Sequence, residues 1–196
     1  MTEKLSQTEN PGKSEAPWTT RTIALVGLMG AGKSTVGQRL ARALGRPFFD
    51  SDDEIEKAAG LSVSDIFRLH GEVEFRRVEH RILERLLSGP THVLATGGGA
   101  YMNADTRDLL RQRAVTVWLN ADLETLWKRV SKKSHRPLLR TQDPKGVLSQ
   151  LLETREPIYA EADLVVASED GPHGKTVTAI QAALNSWSPD HHAENH

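Results

Sequence analysis

The sequence predicts an α/β fold: a five-stranded parallel sheet with helices on both faces. Three observations carry this. Short apolar runs at Ile23–Val26, Pro47–Phe49, His92–Ala95, Val115–Leu119 and Leu164–Ala167 alternate with longer stretches of helical periodicity. Glycine-rich or acidic loops follow the first three runs, at Gly27–Ser34, Asp50–Asp53 and Gly97–Gly99. The chain of 196 residues is about one domain's worth, and no apolar run approaches the roughly 20 residues of a membrane span.

Residues 1–20 (MTEKLSQTENPGKSEAPWTT) are polar, carry two prolines and offer little to bury, so they read as a disordered tail. The domain proper runs from 21 to 187. Ile23-Ala-Leu-Val26 is its first strand, broken by Gly27. From Lys33 to Leu44 the apolar positions Val36, Leu40, Ala43 and Leu44 recur at helical spacing, and Gly45 stands where the residue after a helix belongs. Pro47-Phe-Phe49 is a second strand, ending at Asp50-Ser-Asp-Asp53. From Gly71 to Leu87, Phe75, Val78, Ile82 and Leu86 share one face of a long amphipathic helix. His92–Ala95 is the third strand, closed by Thr96-Gly-Gly-Gly99; Val115–Leu119 and Leu164–Ala167 are the fourth and fifth. Helical patterns fill 103–112, 122–132, 144–160 and 174–186. The end, 188–196 (SPDHHAENH), is a second disordered tail; His191, His192 and His196 there could bind a metal or simply be solvated.

Composition narrows the function. Lys and Arg number 25 against 26 Asp and Glu, a formal net charge of −1, so no basic field exists for nucleic acid or an acidic membrane. The chain has no cysteine, which excludes disulfides, thiol catalysis, iron–sulfur clusters and cysteine-ligated zinc. Met1–Thr20 has no apolar stretch of the secretory kind, so a cytoplasmic protein is expected. With no long exposed apolar stretch, the expected state is a monomer.

Gly27-Leu-Met-Gly-Ala-Gly-Lys-Ser34 fits G-x-x-x-x-G-K-[ST], the Walker A phosphate loop, in the required setting between an apolar strand and an amphipathic helix. Glycines let backbone N–H groups turn inward around phosphate oxygens, and the helix aims its positive end at them. Gly30, Ala31, Gly32, Lys33, Ser34 and Thr35 are therefore the expected nucleotide-binding residues. Lys33 would reach the β- and γ-phosphates and Ser34 would ligate Mg²⁺, with Asp50 a partner of the ion through water. This makes the domain a P-loop NTPase fold of the nucleoside-monophosphate-kinase-like kind. A GTPase would need N-K-x-D, whereas Asn120-Ala-Asp-Leu123 has the wrong order; Asp143-Pro-Lys-Gly146 spells D-x-x-G with no strand before it. No apolar run ends in Asp-Glu, as a motor ATPase would require. A small-molecule kinase remains.

The acceptor side is recognisable. Gly27–Thr35 (GLMGAGKST), Asp50-Ser-Asp52, Gly71–Arg76 (GEVEFR), Thr96–Gly99 (TGGG), Arg136-Pro-Leu-Leu139 and Arg155-x-Pro-x-Tyr159, in this order, resemble the shikimate kinases over residues 27–159. The resemblance implies transfer of the γ-phosphoryl of ATP to the 3-hydroxyl of shikimate, with Mg²⁺. It further implies that Asp52 takes the acceptor hydroxyls, Arg76 and Arg155 hold the carboxylate, and Gly97, Gly98 and Gly99 approach the ring. Arg129 would pack on adenine, and Arg136, with Lys33 and Asp52 a catalytic residue, would sit in a mobile lid over the phosphates. Val63, Phe67 and Phe75 match apolar positions lining the acceptor pocket, though as residues they serve equally as core.

The residues point the same way by their chemistry. A polyol acid needs an anion clamp and hydroxyl acceptors, and planar guanidinium groups pair bidentately with a carboxylate. Each has a plainer alternative. Arg76 could be a solvated helix arginine paired with Glu72, Glu79 or Glu84; Asp50 and Asp52 could cap a helix; the glycines could form only a tight turn. Ser131–Pro137 (SKKSHRP) is basic and short of apolar residues, as a closing lid or a solvated loop would be. The loop 168–174 (SEDGPHG), where the family often offers a side chain to adenine, holds no obvious candidate. Two other activities share this outline: a gluconate-type sugar-acid kinase, and a nucleotide-dependent switch that has lost chemistry.

Overall fold

The computed structural model describes residues 16–132 and 142–189. Five strands, β1 (Thr22–Val26), β2 (Phe48–Asp50), β3 (Val93–Ala95), β4 (Ala114–Asn120) and β5 (Leu164–Ala167), form one sheet in the order β2-β3-β1-β4-β5. Every pairing is parallel, with Ile23 opposite Val93 on one side and Val115 on the other. Every side chain of β1 is buried, Thr22 at 4% exposure and the rest at zero. Successive strand side chains point to opposite faces, so full burial means both faces are covered. Each fully buried Ile, Leu or Val contributes about 1.5–3 kcal/mol relative to exposure, which makes β1 the anchor of the core.

Seven helices surround the sheet among the described residues: α1 (Lys33–Leu44), α2 (Ser51–Ala59), α3 (Val63–Leu87), α4 (Ala104–Arg113), α5 (Leu123–Val130), α6 (Pro144–Tyr159) and α7 (His173–Asn185). Helix α1 packs against β2, β3 and α7, whereas α4 packs against α3 and β4. No described helix is long and apolar enough to cross a membrane. Because β1 lies between β3 and β4, the loops after β1, β2 and β3 open at the same end of the sheet, where ligands of such folds gather.

Three features differ from the sequence reading. The acidic stretch after β2 is a helix, α2, and α3 begins eight residues before Gly71, which breaks it with φ 77° and ψ 174°. Asp50 caps α2 by accepting from the Asp52 N–H at 3.1 Å, and Ser62 caps α3 by accepting from the Asp65 N–H. Helix α2 buries only Ser51 and Ile55, so its sequence shows no apolar stripe. The expected tail is also not structureless throughout. Pro17–Thr20 form a 3₁₀ turn, in which half-buried Trp18 packs on the core beneath Arg46, whose guanidinium lies 5.2 Å from the ring centroid. Arg46 Nη1 also donates to Arg21 O at 2.8 Å, fastening this turn to the start of β1.

Candidate functional site

After β1 the backbone turns at Gly27 (φ 136°), Gly30 (φ 86°) and Gly32 (φ 94°), angles that side chains with a β-carbon rarely adopt. That run of conformations forms the loop that leads into α1. Lys33 opens the helix and folds back over the loop. Its buried ammonium donates to Gly27 O at 2.7 Å and Leu28 O at 3.1 Å. Ser34 and Thr35 face solvent in the first turn of α1. Ser34 Oγ donates to Asp50 Oδ2 at 2.6 Å, joining the loop hydroxyl to the acid at the end of β2. Asp50 thus does two things: one oxygen caps α2 and the other meets Ser34. A hydroxyl beside a carboxylate is an all-oxygen donor set, which suits a hard cation such as Mg²⁺ that keeps most of its waters.

Facing the phosphate loop is the Thr96–Gly99 turn, pinned at three points. Thr96 Oγ1 donates to Leu25 O at 3.0 Å, the Gly97 N–H donates to Ser51 Oγ at 2.9 Å, and Gly98 O accepts from Arg155 Nη1 at 3.0 Å and Tyr159 Oη at 2.6 Å. A β-carbon on Gly98 would lie 3.2 Å from Met29 N, so this turn and the phosphate loop are packed together. One on Gly97 would stand 2.8 Å from Asp52 Oδ1 and 2.7 Å from Glu79 Oε1, so these two carboxyl groups flank that residue.

Both arginines expected to hold the acceptor reach this turn, Arg155 from α6 and Arg76 from α3. Arg155 meets no carboxylate among the described residues. Arg76 does: Nη1 donates to Glu79 Oε2 at 2.6 Å, and Glu72 lies at 3.3 Å. The two readings of Arg76 are therefore compatible, since it pairs along its helix and also lies on Gly99. Burial disfavours its charge, but Glu79 and Glu72 beside it together more than offset this and raise its pKa. Glu79 is 1% exposed. Burial, together with Asp52 and Glu72 nearby, lifts its carboxyl above the usual range against the pull of Arg76. The sequence reading noted Glu79 only as a surface partner; its spacing three residues after Arg76 was the signal. Phe75 is buried, with the Phe67 ring tilted against it at 4.4 Å centroid to centroid, and Val63 and Phe67 are half-buried against the core.

Gly99 offers a direct test. A β-carbon there would sit 2.3 Å from Arg76 Nη2, and Arg76 is tethered by Glu79. Gly99→Ala should displace the guanidinium and raise the acceptor KM roughly tenfold or more, since misplacements near 1 Å are costly. Nucleotide KM should hardly move. Steady-state kinetics with each substrate varied would read this, and an unchanged acceptor KM would place Arg76 outside the site.

On the nucleotide side, Arg129 Nη1 donates to Gly30 O at 3.2 Å and Ser168 Oγ at 3.0 Å, while Nη2 donates to Glu169 O at 2.6 Å. Buried Ser168 in turn donates to Ala31 O at 2.7 Å. Arg129 therefore fastens the loop after β5 to the outward carbonyls of the phosphate loop. The same loop ends at a histidine. His173, first residue of α7, has Cε1 3.7 Å from a β-carbon position on Gly32, the same distance as Arg129 Nη1. Its buried Nδ1 has no partner, and burial with the charges of Arg129 and Arg39 lowers its pKa. Both residues have a positional signal: Ser168 directly follows β5 and His173 opens α7. Arg136 and the rest of the expected lid centre, and His191, His192 and His196, lie outside the described residues. Among the described residues no group of three or more His, Cys, Asp or Glu is arranged for a metal.

Comparison with known proteins finds relatives along most of the chain. A family model described as shikimate kinase matches residues 29–185. A shikimate kinase of Caulobacter vibrioides is 56% identical over 169 residues, covering 86% of this chain and 84% of that protein. Among solved structures, shikimate kinase from Acinetobacter baumannii in complex with shikimate superimposes with a TM-score of 0.83 at 41% identity, covering 88% of this chain and 97% of that one. A gluconokinase from Sinorhizobium meliloti shares the fold alone, with a TM-score of 0.57 at 23% identity over 90% of this chain and 98% of that one.

Proposed function

The chain belongs to the shikimate kinase family, and on that premise we propose that it transfers the γ-phosphoryl of ATP to the 3-hydroxyl of shikimate, giving 3-phosphoshikimate and ADP. The observation that carries the acceptor assignment is the convergence of Arg76 and Arg155, from different helices, on adjacent glycines beside Asp52. Two guanidinium groups suit one carboxylate, and Asp52 is an acceptor for ring hydroxyls at the same turn. Gly98 against Met29 brings that turn to the phosphate loop, so acceptor and donor share one cleft.

Residues 30–35 cradle the ATP phosphates, with Lys33 aimed at the oxygens that gain charge. Arg129 and the loop after β5 flank the base. The 3-hydroxyl oxygen attacks the γ-phosphorus as its bond to the ADP oxygen breaks, and the hydroxyl proton passes to Asp52. Arg136 adds positive charge when the lid closes. Mg²⁺ would be held by Ser34, with Asp50 through water, and when bound neutralises charge on the β- and γ-phosphate oxygens. We further take the enzyme to work as a monomer in the cytoplasm, as the sequence reading expects.

ADP release measured with MgATP and shikimate, shikimate methyl ester or gluconate tests this reading. Shikimate should be turned over with saturation. The ester should show a KM at least about tenfold higher, because breaking a buried charge pair typically costs about 2–5 kcal/mol. Equal use of ester and acid would remove the clamp, preference for gluconate would make this a sugar-acid kinase, and slow release alike with all three would mark a switch.

A further inference from the structure

Tyr159 is a buried polar group that touches the acceptor turn and that the reaction as described does not use. It sits four residues after Arg155 in α6, so both side chains leave the same face of the helix. They converge on one atom: Gly98 O accepts from the Tyr159 phenol at 2.6 Å and from Arg155 Nη1 at 3.0 Å. The phenol is locked in place. Its ring stacks with Tyr101 and with Trp118, centroids 6.2 and 6.1 Å away, and the residue is 1% exposed. Burial pushes its pKa up to about 12, so the hydroxyl stays a donor at any working pH.

Arg155 stands differently. It has no carboxylate partner among the described residues, and its described contacts are the Gly98 carbonyl and the phenol beside it. To grip an acceptor carboxylate with two parallel bonds it must turn donors toward the anion. A half-buried carbonyl stripped of its donor resists that movement, because an unsatisfied acceptor is costly.

We propose that Tyr159 is a positioning residue that holds Gly98 O in place of Arg155, so that the guanidinium is released to the substrate carboxylate without leaving the carbonyl unpaired. The proposal rests on the reading of Arg155 as a carboxylate ligand. The phenol keeps the turn fixed on its carbonyl side while Ser51 holds the Gly97 N–H on the other. In a Phe variant, Arg155 becomes the remaining protein donor to Gly98 O, and substrate must compete with that carbonyl for it.

The experiment compares Tyr159→Phe, Arg155→Ala and the double variant by steady-state kinetics, with KM for shikimate and for ATP measured separately. Thermal unfolding checks that each is folded. Tyr159→Phe should raise the shikimate KM roughly three- to tenfold, the size of one neutral hydrogen bond, with ATP KM and kcat moved far less. The double variant should match Arg155→Ala, because with no guanidinium to release the phenol has nothing to contribute. Additive losses would overturn the proposal, as would a Phe variant whose shikimate KM is unchanged or whose ATP KM rises equally. An Arg155→Ala enzyme with normal shikimate KM would instead overturn the carboxylate assignment itself. If Arg155→Ala is too unstable to assay, Arg155→Lys takes its place, with the same non-additivity expected.

Discussion

Lys33→Met should lower kcat by roughly 10²-fold or more, the usual loss when one aimed donor is removed from a dry site. Methionine keeps an unbranched chain of similar length and deletes the charge, so the variant isolates electrostatics from packing. In this structure the ammonium is held by the carbonyls of Gly27 and Leu28, 2.7 and 3.1 Å away. Those two bonds hold the charge against the phosphate loop, and a charge kept in the site is worth more there than in water. Shikimate KM should change little, since Lys33 belongs to the phosphate loop. Single-turnover rates at saturating ATP would read the effect, and turnover near that of the parent would remove the phosphoryl-transfer assignment.

How well the sequence reports on the fold depends on how each element is buried. The strands were legible because a parallel strand covered on both faces has no polar side to interrupt it, as the unbroken burial of Thr22–Val26 illustrates. Helices with a wide apolar stripe were legible too, to within a residue or two at each end. Helix α2 was not, because Ser51–Ala59 is specified by the Asp50 cap and by acids in its first turn, which favour a helix start without any periodicity. The first segment of α3 is too short to show a period before Gly71 interrupts it. Trp18 was hidden in a polar tail, and only its contact with Arg46 explains the turn around it.

The site divides along the same line. A phosphate loop is contiguous, so its residues are read together. The acceptor site is assembled from α2, α3, the turn after β3 and α6, and only a likeness to known proteins could bring Asp52, Arg76, Gly98 and Arg155 together in advance. A further layer of contacts holds the site in place: Arg76 on Glu79, Arg155 with Tyr159 on Gly98, and Arg129 on Ser168. These contacts decide geometry but leave no mark on hydrophobic pattern.

Asp52→Asn carries the other large expectation. Asp50 is committed, one oxygen capping α2 and the other on Ser34, whereas Asp52 stands at the acceptor turn. Its Oδ1 lies beside Gly97, on the turn that also receives Arg76 and Arg155. Asparagine preserves size and one acceptor oxygen, so ground-state binding of the ring hydroxyls should weaken only a few-fold, as for the loss of roughly one hydrogen bond. The proton of the attacking hydroxyl then has no carboxylate to take it, and removing a positioned base typically costs about 10²–10⁴-fold. The expected signature is therefore a kcat lower by at least about 10²-fold beside a modest rise in shikimate KM. A loss confined to KM would make Asp52 a group that only places the hydroxyl, and the proton would then have to leave directly to solvent or to the phosphate itself.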